Sequence, residues 1–225
     1  AGDSAEWIRA RRVGEIVMGA GLALESIEDL LTAPKGAVPP VVRPELSRKH
    51  LPSLFASRGY TSGAEIGVWY GKFTEAFCKA NPALHMLAVD PWTSYAGWWD
   101  SKNTGAVEQT MAVAYASARE RLTPYRCTIH RGFSADVVQS IPDRSLDFVY
   151  IDGNHSYESA LEDLTLWSQK VKSGGIVCGH DYCDNPAKPF LRVKPAVDEF
   201  VQARTIRPWF VLSRDQTPSF LWVNP

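Results

Sequence analysis

Leu146-Asp147-Phe148-Val149-Tyr150-Ile151-Asp152-Gly153-Asn154-His155-Ser156-Tyr157-Glu158 is the stretch on which the reading of this chain turns. Its first half, Leu146–Asp152, is a short apolar run with strand character. Its second half opens a helix. Ser156 can cap the N-terminus, and Tyr157, Ala160, Leu161, Leu164 and Val171 share one face, with Glu158, Glu162 and Lys170 mostly off it. Gly174 and Gly175 close this helix before the next apolar run, Gly175–Gly179. Strand, helix, strand makes a crossover of the kind found in parallel sheets covered on both faces. The loop Asp152-Gly153-Asn154-His155 therefore sits at the carboxyl end of a strand, where open α/β sheets bind ligands.

The same alternation extends in both directions. Further strand candidates lie at Ala64–Val68, His85–Asp90, Cys127–Arg131, Trp209–Ser213 and Ser219–Val223. Helical stretches fall at Phe73–Ala80, Val107–Leu122, Ala135–Ser140, Tyr157–Val171 and Val193–Ala203. The last two strands lack a helix between them and should form an antiparallel hairpin. The fold class is α/β, with seven strands in a mostly parallel sheet that ends in this hairpin. Upstream, Ser4–Leu31 reads as one helix, with Asp3 or Ser4 as its cap. Ala10, Val13, Val17, Ala20, Leu24, Ile27 and Leu31 form a near-heptad seam. Gly14, Gly19 and Gly21 weaken it but permit close backbone approach, so it could cap its own domain or join two copies of the chain. Pro34, Gly36, Pro39, Pro40 and Pro44 then read as a linker. The expected division is 1–45, helix and linker, and 46–225, an α/β domain.

Composition sets outer limits. In 225 residues, 24 Lys and Arg stand against 25 Asp and Glu, so the net charge of −1 gives no global attraction to nucleic acid or an acidic membrane. Hydrophobic residues make up 45%, enough for a sizeable core. No apolar run reaches the roughly 20 residues of a membrane span, and nothing reads as a signal peptide. Cys78, Cys127, Cys178 and Cys183 show neither a CxxC pair nor zinc spacing, and read as reduced thiols of a cytoplasmic protein.

Ligand-binding signals cluster at the strand ends. The first strand of the domain runs into Glu65-Ile66-Gly67-Val68-Trp69-Tyr70-Gly71, where two glycines let the backbone turn sharply and approach a ligand. The spacing E-x-G-x-x-x-G differs from the G-x-G-x-x-G pyrophosphate cradle and lacks a P-loop ending. About twenty positions on, Asp90 ends the next strand, where an acid accepts hydrogen bonds from ribose hydroxyls.

With these residues the sequence resembles the class I S-adenosylmethionine-dependent methyltransferases, which share a Rossmann-like sheet, over about residues 46–225. The resemblance implies that Glu65, Gly67, Trp69, Tyr70 and Gly71 line the methionine part of the cofactor and that Asp90 binds the ribose. It also implies that Gly132-Phe133-Ser134 contacts the adenine. The longer match, Leu146–Glu158 with Gly174-Gly175-Ile176-Val177-Cys178-Gly179-His180-Asp181-Tyr182, resembles the small-molecule O-methyltransferases of the macrocin and catechol type. In the catechol type the strand-ending aspartate binds a divalent metal, and the residue three places later is the base. Those positions are Asp152 and His155 here, with histidine in place of the relatives' lysine. The resemblance further implies a divalent-metal site at Asp152, His180 and Asp181, where the relatives carry an Asp-Asn pair at the last position. Asp152 and Asp181 with waters could hold magnesium while His180 orients the substrate, or the three could form a hydrogen-bonded cluster without a metal. A neutral imidazole near pH 7 suits the base role. Trp92, Tyr95, Trp98 and Trp99 form an aromatic loop that could lid the site or stack on a ring.

The expected activity is methyl transfer to a hydroxyl of a small molecule, a sugar first and a phenol second. Nucleic-acid methylation is disfavoured, because Asp152-Gly153-Asn154-His155 stands where amino-group methyltransferases carry D/N-P-P-Y/F. Two alternatives stay open: a non-catalytic protein that binds S-adenosylmethionine, and a nicotinamide-dependent oxidoreductase.

Overall fold

The computed structural model describes residues 26–94, 104–187 and 189–225. At its centre is β5 (Leu146–Ile151), flanked by β2 (Ser62–Ile66) and β6 (Val171–Gly179), both parallel to it. Side chains alternate across the strand. Phe148 and Tyr150 pack on one face with Phe55 and Phe77, while Val149 and Ile151 pack on the other with Leu164 and Trp167. All four β5 residues are buried, so the continuous apolar run is that of a strand covered on both sides.

Outward from β5 the sheet continues through β2 to β3 (His85–Asp90) and β4 (Cys127–Arg131). On the other side β6 pairs antiparallel with β8 (Ser219–Val223), which pairs antiparallel with β7 (Trp209–Leu212). The closing hairpin is thus as expected. Among the described residues the sheet nevertheless has eight strands, not seven. Val41–Arg43, in the stretch read as a linker, forms β1 and adds to β7 in parallel, with Val41 opposite Phe210. Three residues between Pro40 and Pro44 carry no periodicity, and the β7 edge makes them a strand.

Helices α3 (Lys72–Ala80), α4 (Thr104–Leu122), α5 (Ser134–Val137), α6 (Tyr157–Ser168) and α7 (Val193–Ala203) fill the expected places. Two earlier helices are α1 (Ile27–Leu31) and α2 (Leu51–Ser57), the latter not anticipated despite Pro52 in its first turn. Ser26 caps α1 in an extended conformation and shares a capping box with Asp29, so the helix expected over Ser4–Leu31 is interrupted there. The rest of that seam lies outside the described residues. Helix α6 ends at Ser168, three residues earlier than expected. Val171 already belongs to β6, and the strand passes its two glycines through a register irregularity against β5. None of the described helices is long and apolar enough to cross a membrane.

Candidate active site

The carboxyl ends of β2, β3, β4 and β5 open into one cavity of about 700 Å³. The turn after β2 forms its near wall. Gly67 sits at φ +90°, and a Cβ there would lie 2.0 Å from the Asp152 carbonyl oxygen, so two strand ends meet as closely as bare backbone allows. Trp69 follows in the left-handed region at φ 52°. Its N–H donates to Asp90 Oδ2 at 2.9 Å, and its carbonyl accepts from the Trp92 indole at 2.8 Å. The other Asp90 oxygen accepts from the Trp92 N–H at 2.7 Å. Burial pushes the Asp90 pKa up, and the Trp69, Trp92 and Val68 amides pull against it. The carboxyl is thus fixed on the cavity wall with lone pairs left over.

The expected cofactor residues divide. Gly67, Trp69, Asp90, Phe133, Ser134 and Asp152 line the cavity. Glu65, Tyr70 and Gly71 are not among its lining residues. Glu65 is 2% exposed and accepts a hydrogen bond from Thr74; burial lifts its pKa to about 8. Gly71 opens α3 at φ +74° and packs against Ala118 of α4, while the Tyr70 carbonyl accepts from Arg121. These three shape the turn from behind. Trp92 is completely buried beside α4 and is no lid; Tyr95, Trp98 and Trp99 lie outside the described residues.

At the β5 and β6 ends, Asp152, His155 and Asp181 converge. His155 Nε2 is 2.9 Å from Asp181 Oδ2 and 3.6 Å from Asp152 Oδ1. Three elements place them: the end of β5, the loop that Ser156 caps into α6, and the turn after β6. Asp181 adopts φ 57°, a left-handed conformation costly for a non-glycine residue and common where function fixes a side chain. Burial works to lower the His155 pKa, but hydrogen bonding and the charges of Asp152 and Asp181 outweigh it and lift it to about 9. For Asp181 the balance runs the other way: burial raises its pKa, the two histidines lower it more, and it settles at about 2. The raised pKa favours the protonated ring near pH 7, where a neutral imidazole was expected; Nε2 has both carboxylates within ion-pair distance but no aligned hydrogen bond to either.

His180 stands at the edge of this cluster, its Nε2 4.0 Å from Asp181 Oδ1. Its Nδ1 lies 2.9 Å from Ser219 Oγ and its Nε2 2.9 Å from Thr217 Oγ1, so both ring nitrogens face hydroxyls. Burial keeps its pKa below the ordinary imidazole value. Among the described residues, Asp152, His155 and Asp181 bring their ligand atoms within 4.8 Å of one another, so His155 is the histidine grouped with the two carboxylates.

Two residues of the site escaped the sequence reading. Arg48, just before α2, places Nη1 3.0 Å from Asp152 Oδ2 and lies over the Phe73 ring. Nothing local in the sequence marks it. Asp163 of α6 lines the cavity although it is only 6% exposed. Its signal was present: positions 160, 163, 164 and 167 share the apolar face of α6, and an acid there is out of place.

An open α/β sheet with a cavity across the carboxyl ends of its strands is the arrangement in which such sheets bind ligands. Residues 64–182 match the model of a methyltransferase domain family, and the chain belongs to that family. Solved structures with similar folds include the O-methyltransferase TomG from Streptomyces achromogenes, in complex with SAM. It is 16% identical, with 79% of each chain covered and a TM-score of 0.58. An O-methyltransferase from Bacillus cereus in complex with SAH is 14% identical, with 84% of each chain covered and a TM-score of 0.55. The N-methyltransferase NodS from Bradyrhizobium japonicum is 13% identical, with 78% of this chain and 92% of that chain covered and a TM-score of 0.55. Among curated proteins, an uncharacterized protein of Sinorhizobium fredii is 23% identical over 121 residues, 52% of this chain and 12% of that protein. An uncharacterized protein of Acanthamoeba polyphaga mimivirus is 32% identical over 65 residues, 29% of this chain and 28% of that protein. The chain thus covers well under two thirds of the length of these curated relatives.

Proposed function

We propose that this chain transfers the methyl group of S-adenosylmethionine to a hydroxyl of a small molecule, with a sugar hydroxyl as the first candidate and a phenol as the second. The methionine part of the cofactor lies along Gly67 and Trp69, the ribose against Asp90, and the base against Phe133 and Ser134. The observation that carries the reading is the cluster of Asp152, His155 and Asp181, two members of which wall the same cavity. In the reaction an oxygen lone pair of the acceptor attacks the methyl carbon in line with the carbon–sulfur bond. The bonding pair stays on sulfur as a neutral thioether, and the hydroxyl proton leaves. Holding acceptor and methyl in line supplies most of the acceleration. His155 takes the proton in its neutral form, which in the unliganded site predominates only above about pH 9 because its pKa is raised. Asp181 fixes the ring, and Arg48 holds the far oxygen of Asp152.

Two carboxylates and an imidazole suit a divalent cation, and magnesium would rely on the carboxylates. When bound, such a cation would make the acceptor hydroxyl more acidic. Arg48 already sits on one Asp152 oxygen, so a cation there would replace an ion pair.

Calorimetry with S-adenosylhomocysteine and NAD, followed by transfer of labelled methyl to a panel of sugars and phenols, tests the proposal. Preference for NAD would overturn the cofactor reading. His155→Ala should cut turnover by roughly 10²–10⁴ and leave cofactor affinity nearly unchanged. Full activity in that variant would remove His155 as the base. Cofactor binding with no transfer to any acceptor would favour the non-catalytic alternative.

A further inference from the structure

Asp163 is a buried acid for which neither the fold nor the proposed methyl transfer has a use. It projects from the apolar face of α6 toward the cavity wall. Its Oδ1 accepts a hydrogen bond from the Ser134 hydroxyl, and the Ser134 oxygen accepts in turn from the Trp167 indole at 2.6 Å. That chain holds the carboxyl in one orientation. Its Oδ2 has no protein donor among the described residues. Gly153 borders this oxygen: a Cβ there would lie 3.3 Å from Oδ2, so the missing side chain leaves the approach open. Among the described residues no cation acts on it, and the one charge that does is the like charge of Glu162. Burial accordingly raises its pKa to about 7. Oδ2 is not one of the fully enclosed unpaired atoms; it opens on the cavity, where a ligand that brings an N–H can supply the missing donor.

The position selects the donor. Asp163 adjoins Ser134, beyond the end of β4, and the exposed Phe133 ring and Met111 line the same cavity with flat or apolar surface. Asp90 lies at the end of β3 and the acceptor cluster at the ends of β5 and β6. The cofactor part suited to an apolar wall with one acceptor is its base.

Resting on the S-adenosylmethionine reading above, we propose that Asp163 Oδ2 accepts the exocyclic amino group of the adenine and makes the cavity selective for a 6-amino over a 6-oxo purine. A 6-oxo base turns its own acceptor toward the carboxylate, so the pair loses a hydrogen bond and gains a repulsion.

The test is calorimetry at pH 8 on the intact chain with S-adenosylhomocysteine and S-inosylhomocysteine. The wild type should bind the inosyl compound roughly 10–100-fold more weakly, the range for an unpaired buried polar group. Asp163→Asn, nearly isosteric and able to donate as well as accept, should shrink that ratio to within a few-fold, with its fold checked by thermal melting. Equal wild-type affinity for both compounds overturns the proposal, as it would if Asp163 held the methionine ammonium instead. An undiminished ratio in folded Asp163→Asn also overturns it. If that variant does not fold, the wild-type ratio decides alone. Failure of the wild type to bind either compound refutes the cofactor reading itself, a different result from equal binding.

Discussion

Replacing Asp181 by Asn should move the titration of one identified proton. The His155 pKa of about 9 stands well above the ordinary 6.5, and two carboxylates hold it there against the effect of burial. Asp181 is the nearer, at 2.9 Å against 3.6 Å for Asp152, and Arg48 draws on the charge of Asp152 but not on that of Asp181. Asp152 and Asp181 nevertheless both raise it, Asp152 at least as much as Asp181 by hydrogen bonding and by charge. Removing an opposite charge at such a distance lowers a pKa by about 1–3, so Asp181→Asn should bring the imidazole down from about 9 by that much, with Asp152 still holding part of the elevation. Ring proton shifts of His155, followed by NMR in the presence of chelator, measure this directly. Stability should follow in a defined direction. Because the folded pKa is raised, the stabilisation by this pair is fully present below about pH 6.5 and lost as pH rises through about 9. The wild type should thus lose melting temperature between these limits, and Asp181→Asn should lose much less. An imidazole that titrates near 9 in the variant would refute the assignment of the raised pKa to this pair. A wild-type imidazole titrating near 6.5 would refute the geometry of the cluster.

Three further outcomes are expected. Asp90→Ala should weaken S-adenosylhomocysteine binding by about 1–3 kcal/mol by calorimetry, since it removes an acceptor that the Trp69 and Trp92 amides hold in place; unchanged affinity would end the ribose assignment. Gly67→Ala should cost about 2–4 kcal/mol in urea unfolding, because its Cβ would meet the Asp152 backbone at 2.0 Å in a conformation that alanine disfavours. Glu65→Gln should flatten the melting-temperature profile between about pH 4.5 and 8: the buried acid has a raised folded pKa, so the wild type loses stability as pH climbs through that window, whereas glutamine keeps the Thr74 contact without a charge. Equal slopes in wild type and variant would place the titration elsewhere.

The sheet and much of the cavity were legible because they follow from periodicity and from where strands end. Val193–Ala203, His85–Asp90 and Cys127–Arg131 have the expected bounds, since each is an apolar pattern with clear stops. β1 was not legible, because a three-residue strand between prolines exists through its partner β7 and has no pattern of its own. The tighter grouping of Asp152 and Asp181 with His155 was hidden for a similar reason. His180 and Asp181 are adjacent, and adjacency in sequence suggested a shared task. The two side chains stay 4.0 Å apart, Nε2 to Oδ1, but their hydrogen-bond partners differ. His180 turns to the Ser219 and Thr217 hydroxyls, and the left-handed Asp181 swings its carboxylate back to His155. The protonation of His155 was hidden at the same level. A histidine three places after an aspartate looks like a neutral base, and it takes a second carboxylate, 29 to 26 residues further along the chain from those two, to hold a proton on it. Whichever groups lower or raise that proton's affinity then govern the reaction: an acceptor hydroxyl that displaces Asp181, or a cation that draws off both carboxylates, would return the imidazole toward its ordinary value. The charged cluster is in this sense a resting state, and binding at Asp152 and Asp181 is what would make the base available near neutral pH.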